Sequence, residues 1–274
     1  MANHASVTVP LENIQRVQVY INEPRKTLAQ IKKATGADYI LNGTLYNMTT
    51  GEVNCHLKVD GKVIASPPYS VAGYAWNDGN DIHLDTLPNE YARNYIACTP
   101  LVVSGKKLSS LNYDPGQGGS RGRSAIGIKQ GKLALYCTKD GSSASRTPEK
   151  LRDELFSAGW ESAVMLDGGG SSQCDFAGDK ITSTRKVQHL ILVYLKTPPC
   201  PYTEPTAIVA KGSIGNGAKW VQWHLNRHGA KLTVDGIFGS KSAEALKNFQ
   251  KSVFTDPNEW DGKCGYMTRT ELKK

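Results

Sequence analysis

Short apolar runs separated by polar, glycine-rich turns recur along the chain up to residue 196. Runs of this length, bounded by turn residues and rich in Val, Ile, Leu and Tyr, are typical of buried strands. The clearest examples are residues 17–21, 39–41, 133–136, 163–166 and 190–195. The hydrophobic pattern therefore predicts a β-rich region that occupies most of the chain.

Two segments of this region have apolar residues at helical spacing instead. Residues 26–35 repeat apolar side chains every three or four positions, and Gly36 follows as a stop signal. Residues 147–159 begin with Thr147, a good N-cap, and with Pro148 at the first helical position. We predict the α+β class, with a mixed β-sheet domain flanked by helices.

Four prolines between Pro198 and Pro205 mark a change in the pattern. This composition favours an extended, semi-rigid spacer. We therefore predict a catalytic domain over 1–197, a linker over 198–206 and a second domain over 207–274.

The predicted second domain contains a near-repeat. Residues 235–242 and 261–268 each place an Asp-Gly turn before a Ser or Thr that can cap the following helix. Apolar faces also recur at helical spacing around 221–225 and 243–250. The pattern predicts a small all-α domain of three helices.

The chain carries a net charge of +8, and most of the basic excess lies in residues 206–274. An anionic partner is indicated, but no helix-turn-helix, zinc-finger or RNA-reading motif accompanies the charge, so we expect no nucleic acid. No run of eighteen apolar residues exists, which excludes a spanning helix, and we expect no membrane partner. The first residues contain neither a basic region nor an apolar region of the kind found in signal peptides, so we do not expect classical secretion. We expect synthesis in the cytoplasm and action outside the cell after release.

The six cysteines contain no C-x-x-C pair, so a structural zinc site is not expected. Free, buried thiols are the default, and we expect neither a metal nor a cofactor. Cys174, two residues after Ser172, could be read as a nucleophile, but no adjacent feature would activate it.

The most informative candidate for chemistry lies at 163–172, where a buried strand leads into Asp167, three glycines and two serines. Successive glycines leave the backbone N–H groups accessible to a substrate oxygen. A tight turn capped by Asp167 is the alternative. Asn42 at another strand end is a candidate to hold a substrate hydroxyl or amide, or a plain turn residue before Gly43. Asp140, also at a strand end, is the fallback second carboxylate.

The glycine-rich segment 104–123 reads as a long loop, of the kind that serves as a lid or a substrate clamp.

These motifs resemble the phosphodiester glycosidase family. Its L-D-G-G-G-S-S motif stands at 166–172, its N-G-x-[FL]-[FY] motif at 42–46 and its R-[ST]-A-x-G motif at 123–127. The chain departs from the family at 140–142, where Asp-Gly-Ser replaces D-G-R, and at 185–189, where His189 replaces an Asn.

The resemblance implies cleavage of a sugar-1-phosphodiester, whose leaving group hardly needs protonation. One carboxylate then suffices, whereas ordinary glycosidases use two. In this chain Asp167 would activate water or attack the anomeric carbon itself. Further substrate contacts are expected from the glycines, serines and basic groups that follow, with Arg123 as the phosphate ligand. These residues are Gly168, Gly169, Gly170, Ser171, Ser172, Arg185 and His189. For Arg185 a solvated charge, and for His189 a satisfied core histidine, are open alternatives.

The tail resembles the peptidoglycan-binding domain of bacterial and phage wall hydrolases, through residues 221–225, 235–242, 245–250 and 261–268. Together the resemblances imply an endolysin-like enzyme that binds wall peptidoglycan with its attached anionic glycopolymer and cleaves a sugar-1-phosphodiester of the N-acetylglucosamine 1-phosphate type. The teichoic acid linkage to peptidoglycan is one such bond. Two alternatives remain open: a muramidase or glucosaminidase on the same scaffold, and a non-catalytic wall-binding protein.

Overall fold

The computed structural model describes residues 3–23, 25–67, 72–196 and 198–274. The chain divides into two compact units, Met1–Lys196 and Thr197–Lys274. Residue 197, where the predicted catalytic domain ends, lies outside the described residues.

Within the described residues, the first unit contains sixteen strands and two helices. The strands are β1 His4–Pro10, β2 Ile14–Ile21, β3 Tyr39–Asn42, β4 Leu57–Val59, β5 Lys62–Ala65, β6 Gly73–Trp76, β7 His83–Asp85, β8 Asn94–Ala97, β9 Thr99–Val103, β10 Lys106–Lys107, β11 Ser124–Lys129, β12 Lys132–Thr138, β13 Trp160–Met165, β14 Cys174–Phe176, β15 Asp179–Ile181 and β16 His189–Leu195. The helices are α1 Leu28–Thr35 and α2 Pro148–Ser157.

The strands form three antiparallel sheets. The first has the order β1-β12-β11-β13-β9-β10, the second β15-β14-β3-β16-β2 and the third β5-β4-β8-β6-β7. All three contribute side chains to one buried cluster, including Val19 from the second sheet, Trp76 from the third and Leu135 from the first. The largest core therefore lies where the sheets face one another, as interlocking apolar faces require.

Each helix covers the outer face of one sheet. Leu151 and Leu155 of α2 pack on Tyr136 and Trp160 of the first sheet, and Leu28 and Ile31 of α1 pack on the second. The antiparallel sheets flanked by helices confirm the predicted α+β class.

The predicted helix ends also agree with the structure. The Thr147 hydroxyl accepts a hydrogen bond from Lys150 N, with Pro148 at the first helical position. Thr27 forms a capping box with Gln30 at the start of α1, and Gly36 ends that helix in the left-handed conformation at φ 67°. Local capping chemistry therefore sets both helices.

Over residues 198–274, the part of the second unit that the structure describes, there are three α-helices, α3 Asn216–Arg227, α4 Ser240–Val253 and α5 Tyr266–Leu272. Their apolar faces enclose a core that includes Trp220, Phe238 and Leu246. The small three-helix domain expected from the sequence is present.

The near-repeat of this unit is built on two buried glutamines that act alike. Gln222 of α3 accepts from Gly236 N at 2.9 Å, and Gln250 of α4 accepts from Gly262 N at 2.8 Å. Each amide nitrogen donates to the Asp of its Asp-Gly turn, to the carbonyl of the residue after the glycine and to the hydroxyl on the next helix. These acceptors are Asp235, Ile237 and Ser242 for Gln222, and Asp261, Lys263 and Thr268 for Gln250.

The proline-rich segment, predicted as a linker, has contacts with the helical core. Cys200 and Tyr202 pack against that core. Glu204 pairs with Lys273 at 3.0 Å and with Arg269 at 3.6 Å. The second unit therefore begins before residue 207.

Candidate active site

Asp167 stands at the junction of the first and second sheets. It follows the buried strand β13, and its backbone N–H donates to the carbonyl of Gly43, just after β3, at 3.1 Å. The preceding residue, Leu166, donates to Ser124 O of β11 at 2.8 Å. Strands from both sheets therefore hold the backbone of this candidate catalytic residue.

The glycines after Asp167 form a tight turn against the segment that precedes β11. Gly169 N donates to Gly122 O at 2.8 Å, and Gly169 has φ 58°, in the left-handed region. A Cβ on Gly168 would lie only 2.8 Å from the same Gly122 carbonyl. Two of the three glycines are therefore required by backbone contacts, in addition to the substrate approach expected from the sequence.

Asn42 organises this junction. Its amide nitrogen donates to Asp167 O at 2.8 Å and to Gly43 O at 3.2 Å. Its amide oxygen accepts from Ser124 Oγ at 2.6 Å and from Gln173 N at 3.2 Å. The side chain is fully buried. All of its polar groups have protein partners, so the geometry favours a positioning role over the substrate contact expected from the sequence.

The Asp167 carboxyl group is poised to titrate near neutrality. Burial raises its pKa to about 6, against the opposing effects of the Ser171 hydroxyl, the Gly168 N–H group and the Arg185 charge. Gly168 N donates to Asp167 Oδ1 at 2.8 Å. Desolvation disfavours the charged form, and a carboxyl group with this pKa suits proton transfer near neutral pH.

Ser171 connects Asp167 with the basic side of the site. Its hydroxyl accepts from Arg185 Nη1 at 2.9 Å and hydrogen-bonds the Asp167 carboxyl, lowering its pKa. Arg185 therefore reaches the glycine turn and is not a freely solvated charge, and its contact with an anion stays a prediction. Ser172 is buried, and its hydroxyl has no partner among the described residues.

His189 lies beneath the junction, with an exposed fraction of 1 %. Burial lowers its pKa to about 4, so the imidazole is neutral at neutral pH. Neither ring nitrogen has a hydrogen-bond partner in the described ranges, so it is not the satisfied core histidine of the alternative interpretation. The ring lies edge-on to Tyr46, with the centroids 5.9 Å apart. A Cβ on Gly43 would come within 2.3 Å of Nδ1, so the glycine of the Asn-Gly pair makes room for this ring.

Arg123 lies beside the glycine turn, with Nη1 3.4 Å from the position of a Cβ on Gly168, but the protein itself encloses the side chain. It is 2 % exposed, and its guanidinium donates to Arg146 O at 2.8 Å and to Gly119 O at 2.7 Å. Nη1 lies 3.6 Å from Met165 Sδ. Because backbone carbonyls use much of the planar group, the geometry assigns Arg123 to holding the loop before β11.

Asp140 lies at the surface, close to the glycine turn. Its Oδ1 accepts from Gly122 N at 2.7 Å, and its Oδ2 lies 3.9 Å from the position that a Cβ on Gly169 would take. The structure thus brings the fallback carboxylate close to the turn that Asp167 enters.

Two residues of the site were missed by the sequence analysis. Arg121 is exposed, and its Cδ lies 3.8 Å from the Cβ position of Gly169. Tyr46 contacts His189, and the Ser171 hydroxyl and the Asp167 charge both affect its pKa. The sequence did contain a signal for Arg121, which is a second arginine in the basic, glycine-rich loop. Tyr46 is the last position of the N-G-x-[FL]-[FY] motif at 42–46, which is the signal that could have identified it.

A cleft of about 730 Å³ opens beside Leu45 and Cys55 and is bounded on its far side by Asp114 and Gln117. Asp167 is near enough for its charge to affect the pKa of Cys55. Part of the predicted loop over 104–123 therefore borders a space next to the site. Within the described ranges, no group of three or more His, Cys, Asp and Glu side chains is arranged to hold a metal ion. No described helix is both long and apolar enough to cross a bilayer.

Comparisons with known proteins agree with both sequence resemblances. Residues 17–194 match the family model described as phosphodiester glycosidase, and residues 215–272 match the putative peptidoglycan binding domain. No curated protein matches the sequence.

Two solved structures share the fold. The catalytic domain of zebrafish N-acetylglucosamine-1-phosphodiester alpha-N-acetylglucosaminidase, auto-inhibited by its pro-peptide, is similar with a TM-score of 0.54 and 16% identity over 71% of this chain and 84% of that one. A hypothetical protein from Synechocystis is similar with a TM-score of 0.60 and 13% identity over 70% of this chain and 59% of that one. At these identities the likeness establishes the fold alone.

Proposed function

The chain belongs to the phosphodiester glycosidase family, and from that premise we propose that it hydrolyses the glycosidic C1–O bond of a sugar-1-phosphodiester in the bacterial cell wall. The observation that carries the proposal is the partly buried Asp167 carboxyl group beside a glycine turn that Arg121, Arg123 and Arg185 border. The peptidoglycan-binding domain supports the location of the substrate.

In this proposal Asp167 accepts the proton of a water molecule that attacks the anomeric carbon. The C1–O bond breaks as the new bond forms, and the electron pair stays on the phosphate oxygen. This leaving group is a weak base, so no general acid is needed. A carboxyl group with a pKa of about 6 is mostly ionised at pH 7 and can serve as the base.

The substrate we propose is the linkage between teichoic acid and peptidoglycan, where N-acetylglucosamine 1-phosphate is esterified to a muramic acid 6-hydroxyl. A domain that holds the enzyme on peptidoglycan raises the local concentration of this bond. The enzyme would then act on a Gram-positive wall after release from the cell in which it is made, as a phage endolysin does.

One observation favours a second candidate function. Asp140 Oδ2 lies 3.9 Å from the position of a Cβ on Gly169, which is two residues after Asp167. Two carboxyl groups around one substrate are the arrangement of ordinary glycoside hydrolases. Cleavage of a peptidoglycan glycan strand would use both.

Mass spectrometry of purified walls digested with the full chain tests the proposal. We expect a phosphomonoester left on muramic acid and a free reducing N-acetylglucosamine on the released polymer. New reducing ends in glycan strands with intact teichoic acid linkages would favour the second candidate. Binding without any release, in digests where Asp167→Asn behaves as the unaltered protein does, would indicate a wall-binding protein.

A further inference from the structure

Besides the buried Arg123, two arginines approach the glycine turn from different segments of the chain. Arg121 is held by a reciprocal pair of backbone hydrogen bonds with Arg146, at 3.1 and 2.8 Å. Its Cδ lies 3.8 Å from the position of a Cβ on Gly169. The side chain is exposed, and its guanidinium has no hydrogen bond or ion pair with any described residue. All of its donors are therefore available to a ligand.

Arg185 reaches the neighbouring glycine. Its Nη1 donates to Ser171 Oγ at 2.9 Å, which fixes the orientation of the guanidinium. Its Nη2 lies 3.1 Å from the position of a Cβ on Gly170. Any side chain at this position would meet Nη2, so the glycine keeps the surface in front of this nitrogen open. A planar guanidinium held in this way is suited to phosphate oxygens.

Asp140 places a negative charge beside the first arginine. Its Oδ2 lies 3.9 Å from the same Cβ position on Gly169 that Arg121 Cδ approaches. Its Oδ1 is fixed by Gly122 N at 2.7 Å. No ion pair within 4.0 Å joins Asp140 to Arg121 in the part of the chain that the structure describes. The carboxylate therefore acts on whatever binds at the turn, instead of being neutralised by the arginine.

We propose that Arg121 and Arg185 bind the phosphate of the substrate over the Gly169–Gly170 turn, and that Asp140 makes this site selective for a phosphodiester over a phosphomonoester. The two arginines and Asp140 together carry a single net positive charge. The net charge of the site is still a single positive charge when the buried Arg123 and an ionised Asp167 are included. A phosphodiester carries one negative charge and balances this site, whereas a phosphomonoester approaches two charges above its second pKa of about 6.

This selectivity rests on the proposed function, since the substrate there is a diester and one product is a monoester. The Asp140 carboxylate repels the doubly charged product more strongly than the singly charged substrate, so it promotes product release. Ion binding itself needs no hydrolysis. The site and the reaction can therefore be tested separately.

The test measures binding of two probes to the full chain at pH 8 by NMR titration, inorganic phosphate for the doubly charged ion and dimethyl phosphate for the diester. Arg121→Gln and Arg185→Gln should each weaken the binding of both probes about tenfold, the effect of losing one charged hydrogen-bonding partner. Arg93→Gln, at an exposed arginine paired with Asp60 elsewhere in the first unit, should leave binding unchanged.

Asp140→Asn keeps an oxygen that can accept from Gly122 N and removes only the charge. We expect it to strengthen the binding of inorganic phosphate several-fold and that of dimethyl phosphate by a smaller factor, because the repulsion by Asp140 scales with the charge of the ion. Unchanged phosphate binding in both arginine variants would overturn the site. An unchanged ratio of the two probes in Asp140→Asn would overturn the selectivity. Walls left intact by a protein that shows all these binding effects would instead overturn the proposed function and leave the anion site standing.

Discussion

At the residue scale, the proposed reaction depends on one carboxyl group whose protonation is set by its surroundings. Asp167→Asn keeps the size of the side chain and an oxygen for Gly168 N, but cannot accept a proton. We expect the rate of sugar release from a phosphodiester substrate to fall at least ~10²-fold, the usual effect of losing a positioned base. Asp179→Asn, at an exposed position on β15, is the matched control. Activity retained in Asp167→Asn would transfer the role to Asp140.

The activity of the unaltered protein should depend on pH through the same group. Since the ionised carboxylate is the active form, kcat/KM should rise with pH and level off above the Asp167 pKa of about 6. A rate profile measured between pH 4 and 8 checks this. A profile that is flat across this range would exclude Asp167 as the titrating base.

The raised pKa also has a consequence for stability. A carboxyl group whose pKa is higher in the folded state stabilises the protein while it is protonated, and this contribution is lost as the pH rises from the unfolded value to about 6. Above pH 6 the ionised carboxylate lowers the free energy of unfolding, and Asp167→Asn removes this destabilisation. We expect the free energy of unfolding of the variant, relative to the unaltered protein, to increase by about 1–3 kcal/mol between pH 4 and 7. Urea unfolding at both pH values measures this difference.

The residues of the site were easier to find from the sequence than their roles. Strand, turn and motif spacing identified Asp167, Asn42 and Arg123. The pattern could not show where their hydrogen bonds go, because those partners come from distant parts of the chain. Arg123 and Asn42 were expected to contact substrate, yet carbonyl, hydroxyl and backbone N–H groups of the protein use their polar atoms. Exposed Arg121 has no such partners, and only the structure distinguishes the two arginines.

At the element scale, local signals predicted the helices and the long buried strands. Thr147, Pro148 and Gly36 act through contacts within one or two turns of chain, so their effects can be read from the sequence. The pairing of the strands could not be predicted in this way. The pair β1 and β12 joins residues 4–10 to 132–138, and no local pattern encodes that separation. Short strands such as β10, with only two residues, also lack a periodic signal.

The two glutamines of the second unit give a prediction at this scale. Gln222→Leu and Gln250→Leu each leave a buried glycine N–H group and a turn carbonyl without their partner. We expect each substitution to lower the free energy of unfolding of this unit by about 1–3 kcal/mol. Urea unfolding measures the change, and Glu244→Leu, on the exposed face of α4, is the control. The two substitutions should lower the free energy of unfolding by similar amounts, because the hydrogen bonds of the two glutamines correspond one to one.

At the scale of the whole molecule, the two units separate binding from catalysis. A fragment of residues 198–274 should sediment with purified peptidoglycan, and a fragment of residues 206–274 should bind but unfold more easily. The shorter fragment lacks Cys200 and Tyr202 and the Glu204 carboxylate that pairs with Lys273. Thermal unfolding of both fragments tests whether the shorter fragment is the less stable one. Equal stability would show that the segment before residue 206 contributes nothing to the second unit.

Removal of the second unit should affect walls and small substrates differently. A fragment ending at residue 196 should cleave a soluble sugar-1-phosphodiester at the rate of the full chain, and cleave whole walls more slowly. Without the second unit, peptidoglycan binding no longer raises the concentration of wall substrate near the enzyme, whereas the active site itself is intact. An equal loss on both substrates would mean that the second unit also supports the fold of the first.

The Asn42 side chain constrains how the site can evolve. It connects β3, β11 and the Asp167 loop with four hydrogen bonds, so a change there alters the seam between two sheets together with the catalytic loop. Arg121, Asp140 and Arg185 lie around the glycine turn and make few of the contacts that join the two sheets. Adaptation to a different phosphodiester should therefore change the residues around the glycine turn first. Asn42 and its hydrogen-bond partners should change least among descendants of this protein.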